Sequence, residues 1–252
     1  MITLQNITKE YNLSKKQKKE LQSTAGTIAA VKDLSLTCHP GRVFSLLGPN
    51  GAGKTTSLRM MATLLQPTSG NIEICGLDTK AHPNEVRRKI GFLTGSTNLY
   101  HRLTPAETVK YFADLYDVDK KIYTERKDQL FTELDIHQFA KKTIGQLSTG
   151  MKQKVSIARS MIHNPEVIIF DEPTSGLDVI TAENIINLIR SCKEQGKTVI
   201  FSSHIMSEVD LLCDDLAIIA HGRCIYQDSM ENFRNESQHQ SLTATFIEKV
   251  SA

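Results

Sequence analysis

GPNGAGKT, Gly48 to Thr55, with Thr56 directly behind it, is the stretch on which the reading of this chain turns. It meets the pattern G-x-x-x-x-G-K-S/T at every fixed position. The residues before it, VFSLL (Val43 to Leu47), are short, apolar and β-prone, which predicts a buried strand. After it, Leu58, Met61, Ala62 and Leu65 recur at helical spacing, which predicts a helix packed by one face. A glycine turn that merely happens to precede a lysine would explain neither flank.

The residue types suit phosphate binding. Gly48, Gly51 and Gly53 have no Cβ, so the backbone there can bend sharply and approach a ligand closely. Successive N–H groups of the loop can then point inward as an anion nest, at the positive end of a helix dipole. Lys54 brings a full charge to the β- and γ-phosphates of a nucleotide, and the Thr55 hydroxyl suits a Mg²⁺ shell.

A second constellation follows VIIF (Val167 to Phe170), an apolar run of the kind buried on both sheet faces. Asp171 and Glu172 come directly after it, at the carboxyl end of a strand, where ligands of parallel sheets bind. One carboxylate there can hold Mg²⁺, and the other can orient or deprotonate an attacking water.

Around these two sites strands and helices alternate. Strands are expected near 2–11, 30–37, 71–75, 91–94, 197–201 and 216–220, and a helix over 179–195 with Ile185, Leu188, Ile189 and Cys192 on one side. From Thr104 to His163 the pattern is helical. Thr104, Pro105 and Glu107 supply N-cap, first-turn proline and capping box, and Val109, Phe112, Ala113 and Tyr116 form the apolar face. A second helix is expected over 123–134. The implied architecture is a doubly wound α/β sheet interrupted by a helical lobe. The lysines at 15, 16, 18 and 19 read as a solvated loop, the alternative being contact with acidic lipid headgroups.

The chain has 252 residues, 40% hydrophobic and 23% charged, with net charge +2, ordinary values for a globular protein and no pointer to nucleic acid. No apolar run reaches the ~20 residues of a membrane span. Five cysteines without a C-x-x-C pair read as small buried hydrophobes in a reducing compartment. The expectation is a cytoplasmic, soluble chain.

Taken together, these motifs resemble the ATP-binding subunits of ABC transporters, over nearly the whole length. Leu147-Ser148-Thr149-Gly150-Met151 resembles the signature LSGGQ, Ser175-Gly176-Leu177-Asp178 the D-loop, and His204, after TVIFSS, falls at the switch histidine. Tyr11 matches the aromatic that stacks on adenine, although edge packing would suit the ring equally. The resemblance implies a P-loop NTPase (RecA-like) core over 1–95 and 164–235 with an N-terminal antiparallel β portion. It also implies an inserted helical subdomain over 96–163 and a tail over 236–252.

By resemblance, Glu172 and His204 are catalytic, and Thr55 and Asp171 hold Mg²⁺. ATP is bound by Tyr11, Gly48, Pro49, Asn50, Gly51, Ala52, Gly53, Lys54, Thr55, Thr56, Ser148, Gly150 and Asp178. Ser148 also reads as a plain helix N-cap, and both roles can hold together, since a well-capped N-terminus also attracts anions. The family pattern implies head-to-tail pairing with a second copy or a homologous ATPase subunit. It further implies a multi-span membrane protein docked near Gly95 to Thr104, and a peripheral position on the inner membrane face. Thr149 and Met151 depart from the signature, and Gly95 stands where the family has its Q-loop glutamine. These departures and the ending SLTATFIEKV resemble sodium-extruding exporters and their drug-export relatives. The rival reading is a single-module ABC ATPase without a transporter, of the iron–sulfur assembly type.

Overall fold

The computed structural model describes residues 1–14, 16, 18, 25–94, 99–237 and 240–251. Lys15 and Lys19 of the lysine cluster, and Gly95, Ser96, Thr97 and Asn98 of the Q-loop stretch, lie outside these.

Among the described residues the strands form two sheets. In the first, β1 (Ile2–Asn12) pairs antiparallel with β2 (Thr27–Cys38) and β4 (Ser69–Ile74), and β4 pairs with the short β5 (Leu77–Asp78). The second has the order β10-β9-β3-β8-β7-β6. Its members are β3 (Val43–Leu47), β6 (Ile90–Leu93), β7 (Val167–Asp171), β8 (Thr198–Ser203), β9 (Asp215–Ala220) and β10 (Arg223–Ser229). All pairings in it are parallel except that of β10 with β9, so the sheet has an antiparallel edge strand.

Side-chain alternation along the central strands divides the core in two. Phe44, Leu46, Ile169, Ile200 and Ile219 point to one side, where they meet α1 (Lys54–Met61) and the antiparallel sheet through Leu58, Met61, Leu4 and Ile72. Leu47, Ile168, Phe170, Val199 and Phe201 point to the other, toward α6 (Val179–Glu194) and the helical insert. Because β3, β7 and β8 are buried at every position, their sequences are runs of apolar residues rather than alternating ones.

The insert contains α3 (Pro105–Leu115), α4 (Lys120–Glu133) and α5 (Thr149–Met161). It follows the short helix α2 (Pro83–Lys89) and strand β6. The expected capping box closes α3: Thr104 Oγ1 accepts from Glu107 N at 3.2 Å and Glu107 Oε2 accepts from Thr104 N at 2.8 Å. After β8 come α7 (Met206–Leu212), α8 (Met230–Glu236) and α9 (Leu242–Ser251).

Three sequence expectations need adjustment. The first helix stops at Met61, and Thr63 takes φ 59°, so Leu65 lies past the helix instead of on its face. Helix α4 starts earlier than expected because Asp119 caps it, its Oδ1 accepting from Lys121 N at 2.8 Å. The final segment, expected as a tail, forms α9, whose Leu242, Phe246 and Val250 pack on the core. Cys38, Cys192 and Cys213 are buried, Cys75 and Cys224 are half-buried, and all five are free.

Candidate active site

Parallel register builds the site. Leu47 stands opposite Ser203 and Asp171 opposite Ser202, so the segments leaving β3, β7 and β8 emerge side by side at the carboxyl end of the sheet. The first of them is the glycine loop. A Cβ on Gly48 would lie 2.2 Å from the Ile219 carbonyl oxygen, and one on Gly53, which has φ 107°, would lie 2.6 Å from that of Ala30. Only glycine fits at either position.

Lys54 starts α1 and is almost fully buried. Its Nζ donates to the carbonyls of Gly48 (2.6 Å) and Pro49 (3.1 Å) and lies 3.7 Å from Glu172 Oε1. Burial pushes its pKa below the usual lysine value, opposed by the charges of Glu172 and Asp171. Ala30, Asn50, Gly51, Ala52, Gly53, Lys54, Thr55, Thr56 and Glu172 line a cavity of about 330 Å³.

Asp171 Oδ1 accepts from the Thr55 hydroxyl at 2.9 Å and from the Ser202 hydroxyl at 2.8 Å. Ser202 Oγ in turn accepts from Glu172 N at 3.0 Å. Glu172 has φ 50°, a left-handed conformation that is uncommon for a glutamate and recurs at functional sites. That bend turns its side chain back over the glycine loop. There Oε1 lies 3.3 Å from His204 Nδ1, which is half-exposed. Among the described residues no cluster of three or more His, Cys, Asp or Glu side chains stands ready for a metal. The Thr55 hydroxyl and Asp171 carboxylate are instead a hard, all-oxygen pair, and this suits Mg²⁺ shared with phosphate oxygens.

Tyr11 lies outside the cavity lining. Its ring is exposed, with Lys9 Nζ 5.5 Å from the centroid. It pairs with Ile28, two positions from the cavity-lining Ala30.

Ser148, Gly150 and Asp178 lie apart from this cavity and together with one another. Ser148 Oγ caps α5, accepting from Met151 N at 3.2 Å. A Cβ on Gly150 would meet Thr181 Oγ1 at 3.2 Å and Asp178 Oδ2 at 3.7 Å. Both carboxylate oxygens of Asp178 are engaged by Thr181 at the start of α6, at 3.0 and 2.8 Å, so this side chain works as a helix cap. Beside it, Val179 and Ile180 are 84% and 76% exposed, so the signature stretch and an apolar pair share one surface.

Sequence reasoning missed Ser202, Ala30 and Gly222. The signal for Ser202 was a pair of serines ending an otherwise apolar strand. Nothing local marks Ala30 or Gly222. Gly222 N donates to Ala52 O at 2.9 Å and its carbonyl accepts from Lys32 N at 2.7 Å, tying the glycine loop to β2.

The family model described as ABC transporter matches residues 31–175. The ABC transporter ATP-binding protein NatA of Bacillus subtilis (strain 168) is 39% identical over 251 residues, covering 99% of this chain and 98% of that protein. The bacitracin transport ATP-binding protein BcrA of Bacillus licheniformis is 35% identical over 220 residues, 87% of this chain and 71% of its own length. Among solved structures, the ATP-binding cassette MJ0796 in a dimeric post-hydrolysis state with ADP and Pi superposes with TM-score 0.79 at 28% identity. That match covers 91% of this chain and 99% of the cassette. An ATP-binding subunit of an ABC transporter superposes with TM-score 0.85 over 99% of both chains, at 24% identity. The phosphate loop, the paired acids after β7 and these relatives agree: the chain belongs to the ABC transporter family, as an ATP-binding subunit that hydrolyses ATP.

Proposed function

We propose that this chain pairs head-to-tail with a second copy or a homologous ATPase subunit, around two Mg-ATP, and powers a membrane exporter for sodium ions or drugs. The observation that carries the pairing is the separation of two half-sites. The cavity beside Lys54 has no lining residue from 148–151, and Ser148 and Thr149 stand exposed at the start of α5. A helix N-terminus of that kind attracts anions, and in the paired arrangement it meets the γ-phosphate held by the other chain.

In this reading Lys54 and the loop N–H groups hold the phosphates, and Tyr11 stacks on adenine. Thr55 and Asp171 would hold Mg²⁺, which supplies charge neutralisation at the β- and γ-phosphate oxygens when bound. Glu172 accepts the proton of the attacking water. His204, bonded to Glu172, reads the presence of the γ-phosphate.

The docking region for a multi-span membrane partner is the stretch Gly95 to Thr104, of which residues 99–104 are described. Tyr100 is 59% exposed, and its ring meets Tyr111 edge-on at 5.8 Å; Tyr111 meets Phe112 at 5.6 Å, and Arg159 lies 4.9 Å over Phe112. A cavity of about 240 Å³ opens beside them, lined by Leu64, Arg87, Phe92, Phe112, Tyr116 and Arg159 among others. Aromatic and arginine side chains of this kind are enriched where partners bind. Among the described residues no helix is long and apolar enough to cross a membrane. In this reading the membrane-spanning part belongs to that partner, and the ATPase sits peripherally on the inner face.

Bacitracin transport is the role of BcrA itself, and its likeness to this chain supports a transport reading. The test is reconstitution with the membrane partner in vesicles, measuring which solute stimulates ATP turnover. Stimulation by Na⁺ or by a peptide antibiotic supports export. Stimulation by neither, with co-purification of soluble scaffold proteins, overturns it.

A further inference from the structure

Glu208 lies on α7, on the helix that follows His204, and is half-buried. Its two carboxylate oxygens accept from two different segments. Oε1 takes the Thr174 hydroxyl at 2.5 Å, and Oε2 takes the Ser203 hydroxyl at 2.9 Å. Thr174 lies two residues beyond Glu172, in the segment that runs to Asp178. Ser203 is the residue immediately before His204, and its Oγ also accepts from Ile205 N at 3.0 Å. One carboxylate therefore bridges the segments that carry the two proposed hydrolytic side chains.

Other observations give this bridge a job. The segment 172–178 leaves the sheet through a left-handed residue, Glu172 at φ 50°, so its path is not set by ordinary strand geometry. It is held on one side by Gln153 of α5, whose Nε2 donates to Pro173 O at 3.3 Å. Glu208 holds it on the other. The hydrogen bond between Glu172 and His204 is 3.3 Å long and its histidine is half-exposed, so packing alone does not fix it. Charge-assisted hydrogen bonds from hydroxyls to a carboxylate are short and strong, which suits such a brace.

We propose that Glu208 is a positioning residue for hydrolysis: it sets the separation of Glu172 and His204 by clamping Thr174 and Ser203. It touches neither phosphate nor water in this scheme. The inference rests on the hydrolytic roles given to Glu172 and His204.

The test is steady-state ATPase of the full chain with Mg-ATP, alongside nucleotide affinity and thermal stability. Glu208→Ala should lower kcat at least about tenfold, with KM, nucleotide Kd and Tm nearly unchanged. Glu208→Gln keeps the length and two hydrogen-bonding atoms, and hydroxyls can rotate to donate or accept, so it should recover most of the lost turnover. A general acid or base at this position would instead lose as much in Gln as in Ala. The double variant Thr174→Val, Ser203→Ala removes the same bonds from the other side. It should reproduce the loss, and adding Glu208→Ala to it should cost little more.

Turnover within twofold of the parent protein in Glu208→Ala overturns the proposal. So does a loss shared equally by kcat and affinity, or a collapse in Tm in both the single and the double variants. Glu172→Gln and His204→Ala run in parallel keep the two readings apart. If those variants retain activity, the hydrolytic assignment fails; if they lose it while Glu208→Ala does not, only the clamp fails.

Discussion

The Thr55 hydroxyl donates to Asp171 Oδ1 at 2.9 Å, joining the phosphate loop to the end of β7. Ser202 reaches the same oxygen from β8. One carboxylate oxygen thus gathers three segments that are far apart in the chain. Losing it should loosen the site more than the fold. Asp171→Asn keeps the shape but gives up the charge, and should weaken the Mg²⁺ dependence of ATP binding while far-UV circular dichroism stays native. Titration of nucleotide affinity against Mg²⁺ checks this. An unchanged Mg²⁺ requirement would remove Asp171 from the cation site.

Glu172→Gln should abolish most hydrolysis, a loss of about 10²–10⁴ in kcat, while ATP binding persists. With saturating Mg-ATP the variant should accumulate as a dimer in analytical ultracentrifugation. A monomer with normal turnover would show that another group is the base.

His204→Ala should reduce turnover much more than ATP affinity, since the imidazole reaches Glu172 rather than the loop that holds the phosphates. An equal loss in kcat and affinity would point to ground-state binding.

The glycines of the loop should not be equivalent. Gly51 has φ 79° with open space around the Cβ position, so alanine there meets only backbone strain, about 1–3 kcal/mol. Alanine at Gly48 drives a Cβ to 2.2 Å from a backbone carbonyl that cannot move without shifting β9. Gly48→Ala should therefore lose nucleotide binding and several degrees of Tm, and Gly51→Ala much less. Calorimetry with and without ATP distinguishes them.

Acid sensitivity should trace to His163. Its ring stacks on Tyr116 at 3.8 Å, Nε2 donates to Ile90 O at 3.0 Å, and Nδ1 is buried with no hydrogen-bond partner among the described residues. Burial lowers its pKa to about 4, and the charges of Arg126 and Lys197 act in the same direction. The unfolded chain binds this proton near pH 6.5 and the folded chain only near 4. The resulting stability is thus complete above pH 6.5 and is lost as pH falls toward 4, by at most about 3 kcal/mol. His163→Gln should flatten that part of the Tm–pH curve relative to the parent protein. Parallel curves would assign the acid loss to other groups.

Tyr100→Ala should leave basal ATPase of the isolated subunit nearly unchanged while weakening assembly with the membrane partner. Unaltered assembly and transport would sink the docking assignment, and a fall in Tm would instead make Tyr100 part of the helical packing.

What the sequence determined by itself is the chemistry that lies within a few residues. The glycine loop with its strand and helix, the acids after VIIF, the Thr104–Glu107 capping box and the Ser148 cap all depend on neighbours in the chain. Short-range sterics and hydrogen bonding fix such features wherever they occur. Tertiary structure decided the rest. Apolar runs announce that β3, β7 and β8 are buried, but not that Leu47 faces Ser203 or Asp171 faces Ser202. That register turns Ser202 from an ordinary strand residue into the ligand of Asp171, and the fold of α7 against the sheet turns Glu208 into a clamp. It also folds the last residues into α9. Parallel strands are joined by long crossovers, so which residues meet depends on packing across the whole core, and no local pattern records it.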